Sequence, residues 1–145
     1  MLPANSNHLY DGPVWTSYVL LLVAAQTLLG GTLHVVLPDS GLISIAGLDL
    51  AHQGGLHMIA LAAWVGATQI AWGLVLLATA LRYRNFTRPV LLLVIVEKAL
   101  ILLGSAIKPT GDAHTPPGIK LAAILLLLAL VAFAVAMARK RPISD

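Results

Sequence analysis

Four apolar runs, Val14–Leu37, Leu56–Leu81, Val90–Ile107 and Ile119–Ala138, take up most of this 145-residue chain. Each is close to the roughly 20 residues that an α-helix needs to cross a hydrocarbon core. Inside a bilayer no water satisfies backbone N–H and C=O groups, so a run of this kind crosses as a helix that bonds to itself. The pattern predicts an all-α fold, an integral membrane four-helix bundle forming a single domain over 1–145. With 59% hydrophobic and 10% charged residues, the chain has no room for a separate soluble catalytic domain. Any activity belongs to the helices and their loops.

The first run is read as a retained span. No Lys or Arg precedes it and no small-x-small cleavage site closes it, which is unlike a secretory signal. Arg82, Arg84, Arg88, Arg139, Lys140 and Arg141 fall at one end of the runs, with Lys108 and Lys120 at the other. The positive-inside rule then places both termini in the cytoplasm and the protein in the cytoplasmic (inner) membrane as a multi-pass protein. The net charge of +3 is explained by these flanking groups and their contact with anionic lipid, and gives no support to nucleic-acid binding. The absence of cysteine excludes disulfides, thiolate nucleophiles and thiolate metal sites.

Within this apolar frame Glu97 is the most informative residue, because it lies near the middle of the third run. A charge at bilayer depth costs about 2.5–3.5 kcal/mol on insertion scales and faces a bundle interior or a watery cavity, with a partner. Gln26, Gln69 or a backbone carbonyl are the partners the sequence offers. Lys98 follows directly, but neighbours in sequence do not face each other on a helix. The expectation is that it snorkels toward the arginine-rich end. Glu97, Ile101, Gly104 and Lys108 share one helical stripe, joining the carboxyl to the opposite mouth.

That mouth collects polar groups. His34, His52, His57 and His114, four of the five histidines, share it with Asp39, Asp49 and Asp112. The long first loop, Pro38–Gly55, has enough apolar surface to form a lid or an interfacial cover over helix ends. If it is helical, Asp49 and His52 are helix neighbours. The third loop reads as a stiff turn, with Pro109 blocking the helix, Thr115 as a cap and Pro116 at the first position of the next helix. In the second run, Ala62, Gly66, Gln69 and Gly73 form a small-residue stripe suited to close helix packing, while Trp64 and Trp72 suit packing or the interface. The fourth run has no polar residue within it and reads as packing or lipid-facing material.

The acid–base candidates are therefore Glu97, His57 and His114, and the ligand-binding candidates are His34, Gln26, Gln69, Trp64, Lys108 and Asp112. A haem between His34 and His57, or a metal held by outer His and Asp groups, has only scattered histidines behind it and no dense ligand spacing. Ser105, in Gly104-Ser105-Ala106, lacks a nucleophile-elbow pattern. No cofactor is assigned.

As a set, Gly54-Gly55, Trp64-Val65-Gly66-Ala67-Thr68-Gln69, Arg82-Tyr83-Arg84, Glu97 and Lys108-Pro109 leading to Thr115-Pro116-Pro117-Gly118 resemble a family of small bacterial four-span integral membrane proteins of unknown function. The resemblance covers most of residues 30–130. It implies four helices and a cytoplasmic-membrane location, but no activity. Similar chains carry a basic residue one turn after the glutamate, where this one has Ile101.

Three roles fit the residues. The first is a membrane binding or accessory protein, with a polar pocket around Glu97 opening to the non-cytoplasmic side, whose partners are the lipid bilayer, a protein or second copy, or an apolar small molecule. The second is a small enzyme acting on an apolar lipid-like substrate by acid–base chemistry. The third is a proton-linked transporter subunit.

Overall fold

The computed structural model describes residues 4–51, 53–109 and 115–138. It contains four long helices: α1 (Val14–Val36), α2 (Gly55–Arg82), α3 (Thr87–Ile107) and α4 (Pro117–Ala138). Short 3-10 turns at Asn7–Leu9 and Arg84–Phe86 complete the regular structure, and no strand occurs among the described residues. All four helices are long and apolar enough to cross a membrane. Their ends follow from prolines and glycines. Leu37 leaves the helix with φ −72° and ψ 139° because Pro38 disfavours helical geometry in the residue before it. Gly54 precedes α2 with φ +100°, a conformation that side chains resist. Pro117 opens α4, where its missing N–H costs nothing. This start is one residue later than a Thr115 cap would give, and Pro116 instead accepts from Ile119 N at 3.1 Å.

Packing is uneven. α1 lies along α2 and α3 along α4, α1 also touches α4, and α2 and α3 scarcely meet. The α1–α2 pair is close because glycines face one another: a Cβ on Gly31 would sit 2.7 Å from Gly66 O, and one on Gly66 2.6 Å from His34 Cβ. Further along, Gly73 lies under Leu28. The partner number falls on α2 as it rises on α1, so the pair is antiparallel. The small-residue stripe around Gly66 and Gly73 thus packs as its composition predicts.

The shared core gathers at one end, from Leu20, Val23 and Ala24 of α1, Leu76 and Ala80 of α2, Val90, Leu91 and Val94 of α3, and Leu125, Ala129 and Ala132 of α4. Buried alanines on α4 let it approach closely, while Leu127 and Val131 on its other side are exposed. At the same end the N-terminal segment is tied to the α2 terminus: Ser6 N donates to Arg82 O at 3.1 Å, and Asn7 Nδ2 donates to Leu81 O at 2.8 Å. These carbonyls lie in the last turn, where the helix supplies no donor. Ser6 Oγ also donates to Asn85 Oδ1. Arg88 performs the equivalent task for α4, its Nε donating to Ala136 O at 2.9 Å while a terminal nitrogen pairs with Asp11 at 2.9 Å.

Toward the other end the helices present apolar surface outward. Leu61 and Trp64 on α2, and Leu100, Leu103 and Ile107 on α3, are all exposed. In a soluble protein this would be a liability; on helices long and apolar enough to cross a membrane it suits contact with lipid.

Candidate functional site

A hydrogen bond between Ser17 Oγ and Thr87 Oγ1, at 3.1 Å and buried, sets α1 and α3 level with each other. Both helices start at the arginine-rich end and run the same way. Gln26 and Thr27 come nine and ten residues after Ser17, and Glu97 ten after Thr87. At 1.5 Å per residue all three lie about 15 Å deeper into the bundle. The central residues of the two helices therefore share one level.

At that level Glu97 accepts two hydrogen bonds. Trp72 Nε1 donates to Oε2 at 3.2 Å, and Lys98 Nζ donates to Oε1 at 3.2 Å. The Lys98 side chain is 5% exposed and that of Glu97 29%, so the pair sits at the inner edge of α3 with its carboxylate reaching outward. This overturns two expectations. Lys98 does not snorkel toward the arginines, and Glu97 is not bonded to Gln26 or Gln69. The rule that adjacent residues diverge describes where Cβ atoms point. A four-carbon stem is long enough to return its ammonium to the preceding side chain, and burying one charge beside another costs less than burying either alone. The basic partner thus comes from position 98 instead of one turn further on.

Gln26 and Gln69 both approach Gly30 at the α1–α2 contact. A Cβ built on Gly30 would lie 3.5 Å from Gln69 Oε1 and 3.7 Å from Gln26 Nε2. Gln26 Oε1 and Thr27 Oγ1 are both buried and have no hydrogen-bond partner. Orphaned acceptors are uncommon in folded proteins, and leaving one unsatisfied costs about 1–3 kcal/mol. Trp64, by contrast, is 68% exposed and stands apart from this layer.

The histidine-rich end is a separate construction. Asp39 gathers the first loop, accepting from Ser44 N at 2.6 Å, Gly41 N and Ile43 N at 3.0 Å each, and Ser44 Oγ at 3.2 Å. The backbone N–H groups of Ser44 and then Gly41 hold its carboxyl down at about 2. Two bonds fasten the turn to the helices: His34 Nδ1 donates to Ser40 O at 2.7 Å, and Ser40 Oγ donates to Ile59 O at 3.0 Å. The first fixes the proton on Nδ1 of His34. Ser40 itself holds φ +51°. Beyond Gly47 the loop is not helical, so Asp49 caps Ala51 N at 2.9 Å instead of forming a helix pair. Between this stretch and the start of α2 lies an open groove of about 600 Å³, lined by Leu48, Asp49, Leu50, Leu56, His57 and Ile59.

His57 and Glu97 are not brought together. Trp72, which touches Glu97, lies fifteen residues further along α2 than His57, about 22 Å along the axis. Lys108 ends α3 on the exposed side. Asp112, His114 and His52 lie outside the described residues. Among the described residues no three His, Asp or Glu side chains gather as metal ligands.

Sequence reasoning missed Lys98, Trp72 and Thr27 as members of the Glu97 layer. For Lys98 a signal existed: opposite charges adjacent within one apolar run reduce each other's cost of insertion. For Trp72 there was none, because its partner is on another helix. No protein-family model, curated protein or solved structure matches the chain.

Proposed function

We propose that this chain is an integral membrane binding or accessory protein of the cytoplasmic membrane, with both termini cytoplasmic and a recognition site at mid-depth built on Glu97, Lys98 and Trp72. The carrying observation is the pair of a buried Lys98 with a half-buried Glu97, level with two unpaired acceptors on α1. Two buried acceptors without a partner at the level of an ion pair leave hydrogen-bonding capacity that a bound group could take up. Support for lateral access is that Glu97 keeps part of its surface where α2 and α3 hardly touch. Arg82, Arg84 and Arg88 support the orientation through the positive-inside rule.

The test is native mass spectrometry of the protein purified in gentle detergent, beside the Glu97→Gln/Lys98→Met double variant. A small molecule or protein retained by the wild type and lost from the variant supports a binding role at this layer. Identical, ligand-free and partner-free spectra from both overturn it. Reporter fusions at either terminus read the orientation independently.

A further inference from the structure

We propose that the groove at the histidine-rich end binds the primary ammonium headgroup of an ethanolamine phospholipid from the leaflet on that side; this site is separate from the mid-depth layer and does not depend on it. Both walls of the groove are held in place. The first loop is pinned to α1 and α2 through Ser40, whose carbonyl accepts from His34 and whose hydroxyl donates to Ile59 O. The stretch after it touches α2 directly, because Gly55 leaves room for the Leu50 carbonyl, into which an added Cβ would run. The space between, about 600 Å³, falls within the roughly 300–1,000 Å³ typical of small-molecule sites.

The lining selects the ligand. Leu48, Leu50, Leu56 and Ile59 make it mostly apolar, and among the described residues Asp49 is the one acid that lines it and no Lys or Arg does. Asp49 Oδ1 accepts from Ala51 N at 2.9 Å, and its second oxygen has no partner among the described residues. His57 also lines the groove, is exposed, and makes no hydrogen bond among the described residues; a neutral imidazole offers one ring nitrogen as an acceptor. The groove thus presents acceptors and a carboxylate that no cation of its described lining offsets. A primary ammonium brings both charge and three N–H donors. A quaternary ammonium brings the charge alone, and an anion is repelled. The membrane is the source because the apolar lining continues onto the flank of α2, where Leu56 is 82% exposed and Leu61, one turn after His57, is 53% exposed. An acyl chain following that surface enters the bilayer while its headgroup stays at the helix end.

The experiment is native mass spectrometry of the full chain in detergent with an equimolar mixture of palmitoyl-oleoyl phosphatidylethanolamine, phosphatidylcholine and phosphatidylglycerol. The three share acyl chains and phosphodiester and differ in the group that would meet Asp49. The expected result is a single phosphatidylethanolamine retained about tenfold over either competitor. Asp49→Asn keeps an acceptor for Ala51 N but removes the charge, and should erase that preference. Leu56→Lys, at an exposed position, sets a competing ammonium at the groove and should erase it too, with helical circular dichroism and melting retained in both variants. Glu97→Gln/Lys98→Met should keep the bound lipid, so failure at one site leaves the reading of the other standing. Equal retention of phosphatidylcholine, a preference that survives both groove variants, or no retained lipid overturns the proposal. A dimer that Leu56→Lys dissolves also overturns it, and gives the groove to a second copy.

Discussion

The indole of Trp72 donates to Glu97 across the boundary between α2 and α3, two helices that otherwise scarcely meet. One polar contact therefore links the α1–α2 hairpin to the α3–α4 hairpin at mid-depth, beyond the shared apolar core. The same carboxylate holds Lys98, so a single group gathers two side chains, one from each hairpin.

Removing that carboxylate should strand Lys98. Glu97→Gln keeps an acceptor for Trp72 but leaves a buried ammonium uncompensated, and the expected loss is about 3 kcal/mol. Adding Lys98→Met should restore most of it. Denaturant unfolding of the three variants in detergent checks both steps; a double variant less stable than the single one would contradict the pairing.

The glycine contact between α1 and α2 predicts a positional contrast. Gly66→Ala places a methyl 2.6 Å from His34 Cβ and 2.8 Å from Gly31 O, and should cost about 1–3 kcal/mol through overpacking. Gly104→Ala meets open space and should be neutral or slightly stabilising. Thermal melting of the two single variants reads the difference.

Arg88→Lys should preserve charge next to Asp11 but lose the Nε bond to Ala136 O, since an ammonium lacks the guanidinium fork. The expected effect is about 1 kcal/mol, concentrated at the end of α4. Hydrogen exchange should quicken in the last turn of α4 and stay unchanged at its start.

The first loop should open in acid. Asp39 is held at about 2 against an ordinary value of 3.8. Its contribution is therefore fully present above roughly pH 4 and is lost as the pH falls through about 2. Exchange of the Gly41, Ile43 and Ser44 amides, followed by NMR, should accelerate over that window. In Asp39→Asn it should be fast at every pH.

Much of the fold was legible because crossing a bilayer is a one-dimensional requirement. Runs near 20 residues, bounded by Pro38, Gly54 and Pro109, fixed four helices to within a few residues, since the cost of an exposed backbone depends on local hydropathy and not on which neighbour arrives. The same logic put Glu97 at mid-depth and Gly66 on a packing face. The site was less legible. Gln26 was named as a partner of Glu97 but stands in the layer as an unpaired acceptor; Trp64, grouped with the candidates, faces outward. The first loop reads in sequence as a lid or interfacial cover, with Asp49 and His52 neighbours only if it is helical; it is instead a turn drawn together by Asp39, and Asp49 lies in non-helical backbone.

The amino-acid order by itself determined how many helices form, where they end, and how deep each polar side chain lies. Only the tertiary structure decided which of those side chains meet. Depth follows from distance along a helix, at 1.5 Å per residue, whereas contact depends on how each helix is rotated about its own axis. Here that rotation is set by the glycines that let α1 and α2 touch and by the Ser17–Thr87 bond that levels α1 with α3. It turns Trp72 to Glu97, buries Lys98 beside it, and leaves Gln26 and Thr27 unpaired at the same height.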